Sequence, residues 1–115
     1  MGIFKKNKNN KENNIKDLRF KAPSTSFDNM AYVIVRDSSD EQIFEICDTI
    51  LGGKAVLANF TKISTSDANM MMLFISGVIY ATNGKCFKLG NRMYLFAKKE
   101  ELEDGSINQY YEDSR

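Results

Sequence analysis

The sequence predicts an α/β fold: a small two-layer sandwich in the order β-α-β-α-β-β, with two helices on one face of a single sheet and a homodimer formed through the helices. Three features carry this. Two short β-branched runs are separated by a segment of helical period. A second, strongly apolar helical segment follows, ANMMMLFISGVIYA at residues 68–81. The chain then offers two short apolar runs around Gly90-Asn91, the pattern of a hairpin.

AYVIV at residues 31–35 is short and β-branched, as a strand should be. Ser39 followed by Gln42 resembles a capping box, and Ile43, Ile46, Cys47, Ile50 and Leu51 then recur at helical spacing until Gly52-Gly53 stops them. These residues predict an amphipathic helix with one core face. AVLANF at 55–60 is the second strand, and two strands joined through a helix predict a right-handed parallel crossover. Ser64, with Asp67 three residues later, opens the second helix, and Asn83-Gly84 ends it.

Residues 85–89 and 93–97 form the final pair of strands. A two-residue loop would pair Leu89 with Arg92 and mix polar with apolar side chains on both faces. A three-residue loop, Gly90-Asn91-Arg92, pairs Leu89 with Met93 and Phe87 with Leu95 on one clean core face. Cys86, Lys88, Tyr94 and Phe96 then share the opposite, non-core face, with Lys88 and Tyr94 as cross-strand neighbours.

The second helix is apolar nearly all round. Ala68, Met71, Met72, Ile75, Val78 and Ile79 keep the spacing of a face packed on a sheet. Met70, Phe74, Gly77 and Ala81 form a second stripe, edged by Leu73 and Tyr80, which needs cover of its own. A mid-helix glycine costs about 1 kcal/mol relative to alanine, so Gly77 beside Ser76 and near Ala81 predicts close approach of another helix, that of a second copy.

Charge divides the chain. Residues 1–21 carry seven lysines and arginines against Glu12 and Asp17, whereas residues 98–115 carry three basic residues against six acidic ones. The expected organisation is a candidate membrane-touching segment at 1–6, a disordered basic linker at 7–28, a core at 29–98, and an acidic, mostly disordered tail at 99–115. A core of about 70 residues is marginal alone, which also favours association.

The composition, 43% hydrophobic and 27% charged, is that of a globular domain, and no apolar run approaches the ~18 residues of a membrane helix, so a cytoplasmic protein is expected. There is no histidine, and no paired carboxylates, nucleophile with base or metal-ligand cluster at plausible spacing. The sequence therefore predicts no enzyme, no catalytic residue, no cofactor and no metal. Cys47 and Cys86 lie in apolar segments and read as buried thiols. Gly52-Gly53-Lys54 is a helix stop and not a phosphate loop, because Asp48 stands where the upstream glycine is required and Ala55 follows the lysine.

The runs KAVLANFTKIS and DANMMMLFISGVIYATNGKCFKLGNRMYLF resemble the bacterial SepF cell-division family. That family's pattern of a helix ending F-(hydrophobic)-(small)-G-x-x-(Tyr/Phe)-A-x-x-G, then a hairpin ending in a Phe-Leu pair, falls on Phe74, Ile75, Ser76, Gly77, Tyr80, Ala81, Gly84 and Tyr94-Leu95. The resemblance covers about residues 30–97. It implies a domain that dimerises and polymerises, and the family's self-association glycine falls on Gly77, within the stripe it shares with Met70, Phe74 and Ala81. It also implies binding of the C-terminal tail of the tubulin-like division protein FtsZ in a pocket at the dimer, through Lys88 and Tyr94, with Phe96 beside them. Finally, it implies anchoring to the inner face of the cell membrane at the division site by an N-terminal segment, for which Met1, Ile3 and Phe4 with the adjacent lysines are the candidates. The chain departs from the family at Met70 and Leu73, where members usually carry arginine and aspartate, and at Tyr94, where they carry phenylalanine. The alternative class, a small single-stranded nucleic-acid module, is disfavoured because the positive residues cluster in the head and not along the sheet, so no nucleic-acid partner is expected.

Overall fold

The computed structural model describes residues 24–115. In chain order these form β1 (Ala31–Ile34), α1 (Asp40–Leu51), β2 (Val56–Asn59), α2 (Thr65–Ala81), β3 (Lys85–Gly90), β4 (Met93–Ala97), α3 (Lys99–Leu102) and α4 (Ser106–Ser114). The strands make one mixed sheet in the order β1-β2-β4-β3, with β1 parallel to β2 and β4 antiparallel to both of its neighbours.

Both long helices begin as the sequence predicts. The Ser39 hydroxyl accepts the Gln42 amide at 3.3 Å, and the Ser64 hydroxyl accepts the Asp67 amide at 3.0 Å. Gln42 is buried without cost, because its Oε1 accepts the Arg36 amide at 2.7 Å and its Nε2 donates to Glu45 at 3.1 Å. α2 closes where Asn83 turns left-handed and the Gly84 amide donates to the Ile79 carbonyl at 2.9 Å. Gly84 has no alternative. A Cβ there would overlap the Ala97 carbonyl and lie 2.9 Å from the Lys98 Cα.

Ile43, Ile46, Cys47 and Ile50 from α1 and Ala68, Met71, Ile75 and Ile79 from α2 pack with Val56, Ala58 and Phe96 in one core. Both long helices therefore lie on one sheet face. In the registered pairs, Val56 stands opposite Phe96 and Ala58 opposite Tyr94, so the face carrying Tyr94 and Phe96 is the one these helices cover. It is not the non-core face expected from the hairpin pattern. Both faces are apolar here: Leu95, Ala97, Phe87 and Ala55 belong to a second buried cluster on the other side.

That second side is covered by the C-terminal arm. Residues 99–115, expected as a mostly disordered acidic tail, instead form α3 and α4, because Ile107, Tyr110 and Tyr111 sit at i, i+3 and i+4 and give the arm an apolar stripe. Ile107 is fully buried, a gain of about 1.5–3 kcal/mol for a side chain of its size. Residues 24–28, assigned by sequence to the linker, join the same cluster through Phe27. The Asp104 carboxylate accepts the Ser26 amide at 2.8 Å and the Ser106 amide at 3.0 Å, while the Ser106 hydroxyl accepts the Phe27 amide at 3.0 Å. The rest of the expected linker, and the candidate membrane residues Met1, Ile3 and Phe4, lie outside the described residues.

The hairpin keeps the predicted Phe87–Leu95 and Lys88–Tyr94 pairs. Its tip differs: Met93 pairs with Gly90 and not with Leu89, which is extruded in a bulge, and Arg92 takes a left-handed φ of 63° in the turn. Cys47 is buried as expected, but Cys86 is exposed on β3, an edge strand.

Candidate functional site

The antiparallel register sets Lys88 on β3 directly opposite Tyr94 on β4, with both side chains toward the α2 side of the sheet. There the N-terminal half of α2 stands off from the hairpin and leaves a cleft of about 230 Å³. Ala68 and Met72 supply an apolar wall, Thr65, Asn69 and Asn91 supply neutral polar groups, and Lys88 and Arg92 bring positive charge. Among the described residues, no carboxylate lines it.

Tyr94 is held from below. Its ring meets the buried Phe60 edge-on at 5.9 Å and lies nearly parallel to Phe96 at 6.4 Å. Tyr94 is half-buried and borders the cleft, but Phe96, expected to touch a partner, is fully buried beneath the helices. Its role is to support Tyr94. Lys88 is exposed and reaches the cleft from the edge strand.

Arg92 was legible only as a loop residue. The structure makes it a wall of the cleft: its carbonyl accepts the Phe60 amide at 2.9 Å, and its guanidinium Nη1 donates to the Ile63 carbonyl in the loop before α2. Met72, read as sheet-facing core, likewise shows part of its side chain in the cleft. A pattern of hydrophobic spacing cannot separate a core methionine from one at a cleft rim.

The second surface feature is the outer face of the helix pair. Met70, Phe74, Gly77 and Ala81 are all exposed, so the stripe is not an inner layer of the core. Leu73 and Tyr80 are 78% and 86% exposed, and nothing in the described chain shields them. α1 extends the patch with Phe44 and Leu51, and the Phe44 and Phe74 rings meet at 5.9 Å across the two helices. A Cβ placed on Gly77 would meet nothing within 4 Å, so no contact within the described chain calls for glycine there.

These features define the chain's class: an α/β domain built on a single mixed β1-β2-β4-β3 sheet, with an open apolar helix face and a cationic, aromatic-floored cleft. Residues 33–100 match the family model described as cell division protein SepF, and the chain belongs to that family of cell-division proteins. It is 31% identical over 64 residues to "Cell division protein SepF" of Lactobacillus helveticus, covering 56% of this chain and 44% of that one. Its similarity to the protein of the same name from Caldanaerobacter subterraneus subsp. tengcongensis is 29% over 77 residues, or 67% of this chain and 58% of that one. The Lactobacillus johnsonii protein is 31% identical over 68 residues, 59% of this chain and 47% of that one. The chain thus spans roughly half the length of these relatives. No helix among the described residues is long and apolar enough to cross a membrane.

Proposed function

We propose that the chain is a non-enzymatic adaptor of septum formation that takes the C-terminal tail of FtsZ into the cleft between α2 and the hairpin. The observation that carries this reading is the pairing of Lys88 with Tyr94 in one cleft that no carboxylate among the described residues lines, which suits a short peptide of mixed acidic and apolar side chains. Membership of a cell-division family supports the choice of partner. The open helix face is the surface for a second copy, since its exposed Met70, Leu73, Phe74 and Tyr80 and the open space at Gly77 suit a close helix pair, and repeated contacts build a polymer. Met1, Ile3 and Phe4 with the basic head attach this assembly to the inner face of the cell membrane at the division site.

The test is titration of a fluorescent FtsZ tail peptide against the full chain. Lys88→Glu, an exposed change that leaves the core intact, should abolish binding, and so should Tyr94→Ala, provided circular dichroism shows each fold retained. Undiminished tail binding by both variants removes the site from this reading.

A further inference from the structure

We propose that Arg92 is a specificity-determining residue of the cleft, reading a carboxylate of the bound peptide with its guanidinium while Lys88 supplies a second positive charge. This rests on the peptide-binding reading above and names the chemistry it selects.

The placement of Arg92 is unusual on its own terms. Only two non-glycine residues among those described have positive φ, Asn83 and Arg92. Asparagine is a common occupant of that conformation, but arginine is not, and the left-handed backbone is unfavourable for it. Glycine or asparagine would serve the turn better, so the side chain has another use. A guanidinium carries five N–H donors in a rigid fork, and among the described residues Arg92 makes one side-chain hydrogen bond, to the Ile63 carbonyl. No carboxylate among the described residues pairs with it. The anchored side chain is half-buried, so ordering it on binding costs little entropy.

The surroundings select the ligand. Among the described residues, Lys88 and Arg92 are the charged ones lining the cleft, and Thr65 brings the positive end of α2 to it. Asp67, the acidic residue of the first turn of α2, is not among the lining residues. Ala68, Met72 and Tyr94 stand ready for an aliphatic neighbour of that carboxylate. A nucleic-acid phosphate would satisfy the charge but needs a ring face on which to stack a base. Tyr94 instead has its ring against Phe60 and Phe96 and only part of its surface open.

The experiment is a double-mutant cycle on the full chain. Arg92→Gln keeps a donor for the Ile63 carbonyl and removes the charge, and the FtsZ tail peptide is used beside a twin in which every Asp and Glu is replaced by its amide. Arg92→Gln should weaken binding of the parent peptide about tenfold, the value of one charge-assisted hydrogen bond, and should cost nothing further with the amide twin, whose own loss also includes its contact to Lys88. Arg92→Lys should recover only part of the loss, because it restores charge without the fork. Additive losses, or an Arg92→Gln variant that binds as tightly as the parent, overturn the proposal. If the parent does not bind the FtsZ tail at all, the partner assignment fails separately, and a blocked Asp-Leu-Asp-Phe peptide with its amide twin becomes the probe. Carboxylate-dependent shifts of the Asn91 and Arg92 amide resonances then uphold the role of Arg92, and their absence overturns it. A single-stranded RNA oligomer whose binding, and not the peptide's, depends on Arg92 overturns it as well.

Discussion

The rings of Phe27 and Tyr110 pack with their centroids 4.8 Å apart, joining the segment that enters the domain to the helix that ends it. A second pair, Phe87 and Tyr111, repeats the contact at 4.8 Å between β3 and α4. Together with Ile107 these rings close the sheet face that the two long helices leave bare.

Removing the aliphatic centre of that contact should be costly. Ile107→Ala is expected to lower stability by about 2–5 kcal/mol, the range for a fully buried isoleucine. Urea unfolding followed by circular dichroism reads the change; a loss under half a unit would mean that the arm is not part of the cooperative fold.

Acid should loosen the same arm. Hydrogen bonds from the Ser106 amide, then from the Ser26 amide and the Ser106 hydroxyl, hold the Asp104 carboxyl down to about 2. Because the folded value lies below the unfolded one, the ionised group stabilises the fold above about pH 4, and that contribution is lost as pH falls through about 2. Asp104→Asn should therefore be less stable than the parent at neutral pH and converge with it in acid. Parallel denaturation curves across that range would contradict this.

Gly77 should separate helix stability from self-association. Alanine there meets no atom of its own chain, so Gly77→Ala should stabilise the folded protomer by about 1 kcal/mol while weakening the pair of copies. Gly77→Lys should yield a folded monomer by sedimentation. Variants that associate as the parent does would move the second copy away from α2.

Gly84→Ala should show the opposite behaviour. Its Cβ would strike backbone at Ala97 and Lys98, which cannot swing aside, so a loss of about 1–3 kcal/mol is expected from thermal unfolding. A neutral result would mean that the end of α2 can shift relative to β4.

The two serine caps, the helical periods after them and the glycine stops were legible because each depends on residues close in sequence. The Lys88–Tyr94 pair was legible for the same reason, being set by a short turn. Which face they occupy was not. Alternation distinguishes inside from outside only when one face is wet, and here Leu95 and Phe96 are both fully buried, on opposite sides. The helical order of the arm was not legible because its acidic composition obscured the single stripe of Ile107, Tyr110 and Tyr111. Arg92 could not be singled out, since its value depends on a left-handed turn and on a carbonyl at Ile63, far away in the chain.

The sheet order has a consequence for synthesis on the ribosome. β4 is the last strand made, yet it lies between β2 and β3. Until residue 97 has left the exit tunnel, β2 has an empty seat on one side and β3 has no strand beside it. Nor can the far side of the sheet be sealed before Ile107 emerges. The domain therefore completes itself only once β4 and Ile107 have both emerged, and a nascent chain stalled short of β4 would expose a strand edge to its neighbours on the polysome.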